Sequence, residues 1–393
     1  MRWTLFCVAT TLAATGCAAP TPETAVVTEA SDTANLCRNH ALPAGTPFTV
    51  PDADAPFQAR DPDNDLDEWF WPAHVRGLRT GKEYSLESFI FRIRAGGQNV
   101  RWGQVSITDP STGKYHQGQY LVPGLFKETT DSFDLDFGVP GAPRATGGGG
   151  GLPTNRPDHV TASTADGSGF DLYFTNLSNV MVQFAGGHAT FTDPSSGTTV
   201  GQNYYYSRPS MAAAGTITVD GVTEPVVGKG WFDREWRACC FGGYFHQPNP
   251  IFTQWHWAGF HLSDGSAWSY YRIFVQGHEQ DGLMSDTANF LESPTAGCRQ
   301  GALAHGQFEL DHDGAWTSPH SGKTYPTRYH FVVASEGLDV WLTPRIQDQE
   351  ATEVPIALGF QPWYEGWAKI EGTHHGRPVT GEGYIELFGF PNG

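Results

Sequence analysis

Positive charge is scarce in this chain. Its 393 residues carry 24 Lys and Arg against 42 Asp and Glu, a formal net charge of −18. A phosphate binder needs a basic stripe and none is visible, which argues against nucleic acid as a partner. Methionine is also rare, at 4 residues, and long runs of good helix formers are few. Abundant Gly (47) and Pro (27), with 13% aromatic residues, favour an all-β architecture around an ample core. Neither a GxSxG elbow nor an HExxH motif occurs, so hydrolysis by an activated serine or a zinc ion has no motif behind it. The 6 cysteines lack the CxxC spacing of a thiolate metal site, and no metal is expected.

Long apolar runs are missing except at the N-terminus. There Arg2 precedes an apolar stretch from Leu5 to Ala14 and then "ATGCAAP", with Cys17 inside it. This is too short to span a bilayer and reads as a processing signal over residues 1–17. It resembles a bacterial lipoprotein signal, which implies lipidation at Cys17, with plain secretion as the alternative. The expected mature protein is exported to the bacterial cell envelope and held to a membrane by its N-terminal lipid. Residues 18–45, rich in Pro, Thr, Ala and Glu, read as a flexible tether. Export would leave Cys37, Cys239, Cys240 and Cys298 in an oxidising compartment, with one or two disulfides in any of three pairings.

"DPDNDLDEW" spaces Asp61, Asp63, Asp65 and Asp67 at alternate positions. A calcium loop would need Gly where Leu66 stands and Glu where Pro72 stands, so an acidic solvated loop is expected. From Glu68 onward, short aromatic–polar alternations such as "EYSLESFIFRIR", "FDLYFTNL" and "RYHFVVAS" recur between turn signals. They predict two antiparallel barrels, over residues 46–237 and 238–393.

"FTQWHWAGFHLSDGSAWSYYRIFV" reads as a hairpin about Asp264 and Gly265. With those two residues as the whole turn, His261 faces Trp268, Trp257 faces Arg272 and Trp255 faces Phe274. One face then carries Trp255, Trp257, His261, Trp268, Tyr270 and Arg272, the composition of a lined cavity; a Trp-rich core with Arg272 on Trp257 is the alternative. The opposite face, with Tyr271, reads as packing.

"GKGWFDREWRACC" places charge among rings. As a strand it points Trp231, Asp233, Glu235 and Arg237 one way and Phe232, Arg234 and Trp236 the other. Like charge and burial push carboxyl pKa values upward, so one of the pair could serve as an acid at neutral pH. A structural ion pair with an arginine is the competing reading.

These stretches carry a family resemblance. "GKGWFDREW", "WHWAGFHLSDGSAWSYYRI", and the terminal "WYEGWAKIEG" and "GYIELFGF" resemble the AttH/CrtC family, as do "DEWFWPAHV" and "YYYSRPSMAAAGTITVDG" upstream. That lipocalin-like family includes carotenoid 1,2-hydratase, also called hydroxyneurosporene synthase, kievitone hydratase and Diels–Alderase-type proteins. The resemblance implies two consecutive lipocalin-like barrels with a hydrophobic pocket near their interface. It implies a lyase or isomerase that needs no cofactor, acting on an isoprenoid- or polyketide-like molecule; a non-catalytic carrier of an apolar ligand is the alternative. The implied catalytic groups are Asp233, Glu235, His261 and Tyr270. Ligand contacts fall to Trp231, Arg234, Trp255, Trp257, Trp268, Tyr271, Arg272 and Glu365. In the carotenoid hydratase branch an Asp soon after a Tyr in the post-turn strand is the proton donor. No acid stands between Trp268 and Val275 here, so the donor must be Asp233 or Glu235.

Overall fold

The computed structural model describes residues 42–50, 52–57, 64–95, 97–148, 157–236, 252–293, 296–356 and 360–390. The expected leader with Cys17, most of the tether, Cys37, and Arg237 to Cys240 lie outside the described residues.

Two antiparallel sheets make up the fold. In the first, β1 (Leu66–Gly77), β2 (Glu83–Ala95), β3 (Gln98–Asp109) and β4 (Lys114–Pro123) form a meander. Four shorter strands follow: β5 (Ser132–Asp136), β6 (Arg144–Gly148), β7 (Asp158–Ser163) and β8 (Gly169–Asn176). Then come β9 (Met181–Val182), β10 (His188–Thr192) and the long pair β11 (Thr199–Val219) and β12 (Val222–Trp236). The order is β4-β3-β2-β1-β12-β11-β8-β7-β6-β5, with β9 and β10 also on β11.

The second sheet begins with another meander, β13 (Thr253–Leu262), β14 (Ala267–Val275), β15 (Leu283–Leu291) and β16 (Gln300–Ala304). After β17 (Glu309–Asp313), β18 (Trp316–Thr317) and β19 (Thr324–Tyr325) pair only with each other. The chain ends with β20 (Arg328–Val333), β21 (Leu338–Pro344), β22 (Glu350–Ala351), β23 (Trp363–His374) and β24 (Arg377–Phe388). Its order is β16-β15-β14-β13-β24-β23-β21-β20-β17, with β22 on β23. In both sheets the first strand of the meander also pairs with the last strand of the sheet. The protein is all-β, and each sheet curls into a half-barrel around its own core.

Period-two alternation builds three hydrophobic layers from these strands. Trp69, Trp71, Leu86 and Phe232 fill the first half-barrel. Phe260, Trp268, Tyr329 and Phe331 fill the second. The alternate residues of the same strands meet in a third cluster, where Phe70, Phe89, Phe91 and Tyr205 face Trp255, Trp257, Trp363 and Phe388. β1, β2, β12, β13 and β24 are therefore buried on both faces, and the third cluster is the seam between half-barrels. Burying each such ring contributes about 1.5–3 kcal/mol. Polar links cross the same seam: the Tyr384 hydroxyl donates to Leu86 O at 2.7 Å, and Thr108 Oγ1 to Gln349 Oε1 at 3.0 Å.

The structure overturns the solvated-loop reading of "DPDNDLDEW" at its last Asp. Asp67 is fully buried and held by Arg92 and Arg234, each at 2.7 Å. The sequence pattern hid this because the two arginines lie 25 and 167 residues away. Cys298 is disulfide-bonded, and every other cysteine lies outside the described residues.

Candidate functional site

The hairpin that supplies one wall of the seam has a three-residue loop, Ser263 to Gly265. Leu262 N donates to Ser266 O at 2.9 Å, Gly265 N to Leu262 O at 3.0 Å, and Gly265 takes a positive φ of 88°. The extra residue moves the register by one from the two-residue expectation. Trp255 lies opposite Ile273, Trp257 opposite Tyr271 and His261 opposite Ala267. A one-residue slip sends every side chain of the returning strand to the other face.

Trp268, Tyr270 and Arg272 therefore do not share a face with Trp255 and Trp257. Trp268 packs on Phe290 in the second half-barrel. The Tyr270 ring lies against Phe331, and its hydroxyl has no partner among the described residues. Arg272 is clamped by Asp286 at 2.8 and 3.0 Å and donates to Leu310 O. Its ring partner is Phe308, not Trp257. Tyr271, packing by the hairpin reading and a ligand contact by the resemblance, lines the seam cavity.

The charged triplet splits as alternation requires. Arg234 points into the first half-barrel, where it binds Asp67, donates to Ala53 O and Ala55 O at 2.9 Å, and lies 4.2 Å over the Trp69 ring. It is a structural cation and not a ligand contact. Asp233 and Glu235 point into the seam. Asp233 accepts from Trp231 Nε1 at 2.7 Å and from the Ser207 hydroxyl, while Glu235 accepts from the Asn203 amide.

Two further carboxyl groups complete the cavity. Glu68 on β1 stands directly opposite Glu235, and Glu386 on β24 directly opposite Trp257. Glu386 accepts from Trp255 Nε1, whereas Glu68 Oε2 is buried with no partner among the described residues. Rings close the space around them. Phe70, Phe89, Phe91 and Trp102 stack in a ladder with centroids 3.9, 5.5 and 4.6 Å apart. Across the cavity Trp257 Nε1 donates to the Tyr205 hydroxyl at 3.0 Å. Gly259 permits this wall, since a Cβ there would meet Trp257 at 2.9 Å and Trp231 at 3.2 Å. The remaining void is about 20 Å³, room for a water molecule.

Among the described residues no lysine or arginine lines this cavity. Burial is the main force on all four acids. It pushes Asp233 up to about 7 against the donors Ser207, Trp231 and Tyr205, and Glu386 up to about 7 against Trp255. Burial raises Glu235 well above the carboxylate range, with Asp233 and Glu386 adding repulsion. Glu68 is raised likewise, with Glu235, Glu386 and Asp233 adding to burial. Chemically, the site is a set of carboxylic acids in an aromatic box, able to donate protons near neutral pH.

The other expected site residues fall at the edges. Glu365 is fully buried opposite Glu386, behind the cavity wall. His261 lies farther along the seam, where Nε2–H donates to Pro209 O and the ring contacts Trp231. There it borders a larger cleft of about 760 Å³ with His74, Lys229 and Trp367. Burial and Lys229 press its pKa down to about 4, so it is a neutral ring away from the acids. Sequence reasoning missed Glu68 and Glu386. Both carried the signal found at Asp233 and Glu235, an acid inside an apolar strand: "DEWFW" and "YIELF". Among the described residues no cluster of three or more His, Cys, Asp or Glu is arranged to hold a metal ion.

A solved AttH-type protein from Nitrosomonas europaea is similar in fold, with 21% identity and a TM-score of 0.69 over 90% of this chain and 99% of that one. Kievitone hydratase from Nectria haematococca is also similar, with 16% identity and a TM-score of 0.65 over 90% of this chain and 95% of that one. No curated protein matches the sequence. The profile of the AttH-like family spans residues 43–390, nearly the whole chain, and the chain belongs to that family.

Proposed function

We propose that the protein is a cofactor-independent hydratase of hydrophobic alkenes, with the seam cavity as its active site. One observation carries the reading: four carboxyl groups with raised pKa face one aromatic cavity that no cation among the described residues lines. The similarity in fold to a kievitone hydratase supports it.

Adding water to an isolated double bond requires three things. A proton must reach one alkene carbon, the cation left on the other must be stabilised, and a water must be relieved of a proton as it adds. Protonated Glu68 and Glu235 are suited to the first task, because burial keeps them neutral. The ring faces of Trp257, Tyr271 and the Phe70 ladder suit the second through their quadrupoles. Asp233, poised near 7 and held by the donors Ser207, Trp231 and Tyr205, suits the third. The balance closes with water's oxygen and one hydrogen on the product, and its second proton on a carboxylate. The present void seats the water, and the substrate enters by parting the rings.

Incubation in oxygen-18 water with a panel of acyclic prenyl lipids, read by mass spectrometry, tests this. Heavy oxygen in a product from wild type, and not from Asp233→Asn, is the expected outcome. No incorporation, with a lipid recovered intact from the purified protein, would establish a carrier instead. Export and a lipid on Cys17 belong to the same proposal and rest on the N-terminal sequence; mass spectrometry of the mature N-terminus tests them.

A further inference from the structure

The seam holds two carboxyl groups that the proposed chemistry does not use. Glu365, opposite Glu386 in the β23–β24 ladder, and Glu87 on β2 are both fully buried. Glu365 lies within hydrogen-bond reach of Glu386 on one side and of Glu87 on the other. Glu365 Oε1 and Glu87 Oε2 each lack a donor among the described residues. Two facing carboxylate oxygens cannot bond as anions, whereas a proton between them satisfies both. At the far end the Tyr115 hydroxyl donates to Glu87 Oε1 at 3.3 Å. The Tyr115 ring lines a polar cleft of about 400 Å³ with His116, Asp166, His320 and Asp348.

We infer that Glu386, Glu365, Glu87 and the Tyr115 hydroxyl form a proton line joining the closed seam cavity to the polar cleft. Glu365 and Glu87 each have a partner on both sides, Glu386 borders the cavity and Tyr115 the cleft, so a proton arriving at one end releases another from the opposite end. Tyr115 takes a proton from cleft water as it gives its own to Glu87. Glu87 passes one to Glu365, and Glu365 passes one to Glu386. The same hops run backward. Burial pushes Glu87 up to about 8 and Glu386 to about 7, so neither carboxyl locks the proton in place, while Tyr115, which burial pushes well above its ordinary value, relays only by taking one proton as it gives another. The use of the line rests on the hydratase reading. Each turnover leaves a donor short of one proton and an acceptor with one extra, and the line accepts the second and returns the first, with cleft water as reservoir.

Hydrogen–deuterium exchange of the buried carboxylic acids, followed by their infrared C=O stretch after transfer to heavy water, tests the line without substrate. Absence of hydratase activity therefore leaves this result standing, and failure here leaves the hydratase reading untouched. Glu87→Gln keeps the shape and removes the acid proton. Tyr115→Phe removes only the hydroxyl that bonds Glu87 and carries the test if the first variant does not fold. Exchange of the acid bands slowed about 10-fold or more in either folded variant is expected, short of the 10²–10⁴-fold lost with a direct proton donor. Exchange at the wild-type rate in the folded variants would overturn the line.

Discussion

Asp67 and Glu68 are neighbours in sequence and opposites in environment. Asp67 sits inside the first half-barrel with Arg92 and Arg234 at 2.7 Å each. Burial pushes its pKa up, but the two guanidiniums outweigh burial and hold it below the usual carboxylate range. Glu68 points into the seam, where it faces Glu235, and burial with repulsion keeps it protonated. One strand thus carries a carboxylate on one face and a carboxylic acid on the other. Burial alone does not decide which form survives; the sign of the neighbouring charge does. A paired ion clamps the wall of the half-barrel, and the unpaired acid on the same wall is left available for chemistry.

The largest effect should come from breaking the clamp. Asp67→Asn leaves two buried arginines without their carboxylate and should cost about 3 to 5 kcal/mol, read as a fall in the urea midpoint. A loss under about 1 kcal/mol would show that the cluster behaves like a surface pair. Asp233→Asn, on the seam side, should lower kcat about 10²-fold or more while leaving the urea midpoint nearly unchanged. Loss of stability with activity intact would reverse the assignment.

The pH dependence sharpens the contrast further. For Asp233 the folded pKa of about 7 lies above the unfolded value of 3.8, so between those values the folded state holds a proton that the unfolded chain has lost. Its stabilising contribution is complete below the unfolded pKa and is lost as pH rises through the folded one, with a slope of about 1.4 kcal/mol per pH unit. Asp67 has the opposite sign, since its depressed pKa contributes stability that is lost as pH falls. Subtracting the stability profile of Asp233→Asn from wild type should therefore leave a curve that falls from about pH 4 to pH 7; a flat difference would mean that Asp233 titrates normally. The smallest effect belongs to the hairpin. Tyr270→Phe removes a hydroxyl that has no partner among the described residues and should leave turnover alone and stability equal or higher by up to about 1 kcal/mol. Tyr271→Phe should change turnover instead.

The alternation of β12 was legible from seven letters, because period two leaves Asp233 and Glu235 no other way to point. Raised pKa values were one of two readings of the same letters, the other being an ion pair with an arginine, and alternation in the folded strand decided between them by sending Arg234 to the face opposite Asp233 and Glu235. The hairpin was misread by one residue. Asp264–Gly265 fits a two-residue turn, and only the Leu262–Ser266 closure shows that Ser263 belongs to the loop. That single residue moved Trp268, Tyr270 and Arg272 out of the site. Glu68, Glu386 and Arg234's partner Asp67 could not be joined to the motif from sequence, because strand pairing brings them from 167 residues upstream and 151 downstream.

The shared strand order has a consequence for symmetry. Each half is a meander whose first strand closes on its last, and the closing strands β12 and β24 bring Glu235 and Glu386 to the same cavity. A single ancestral half-barrel pairing with its own copy would have presented one acid twice, across a two-fold axis. In one chain each wall has its own residues. Tyr205 beside Glu235 and Glu365 beside Glu386 now occupy matching ladder positions with different chemistry. Two identical walls could not carry different acids, and two walls written separately in one chain can.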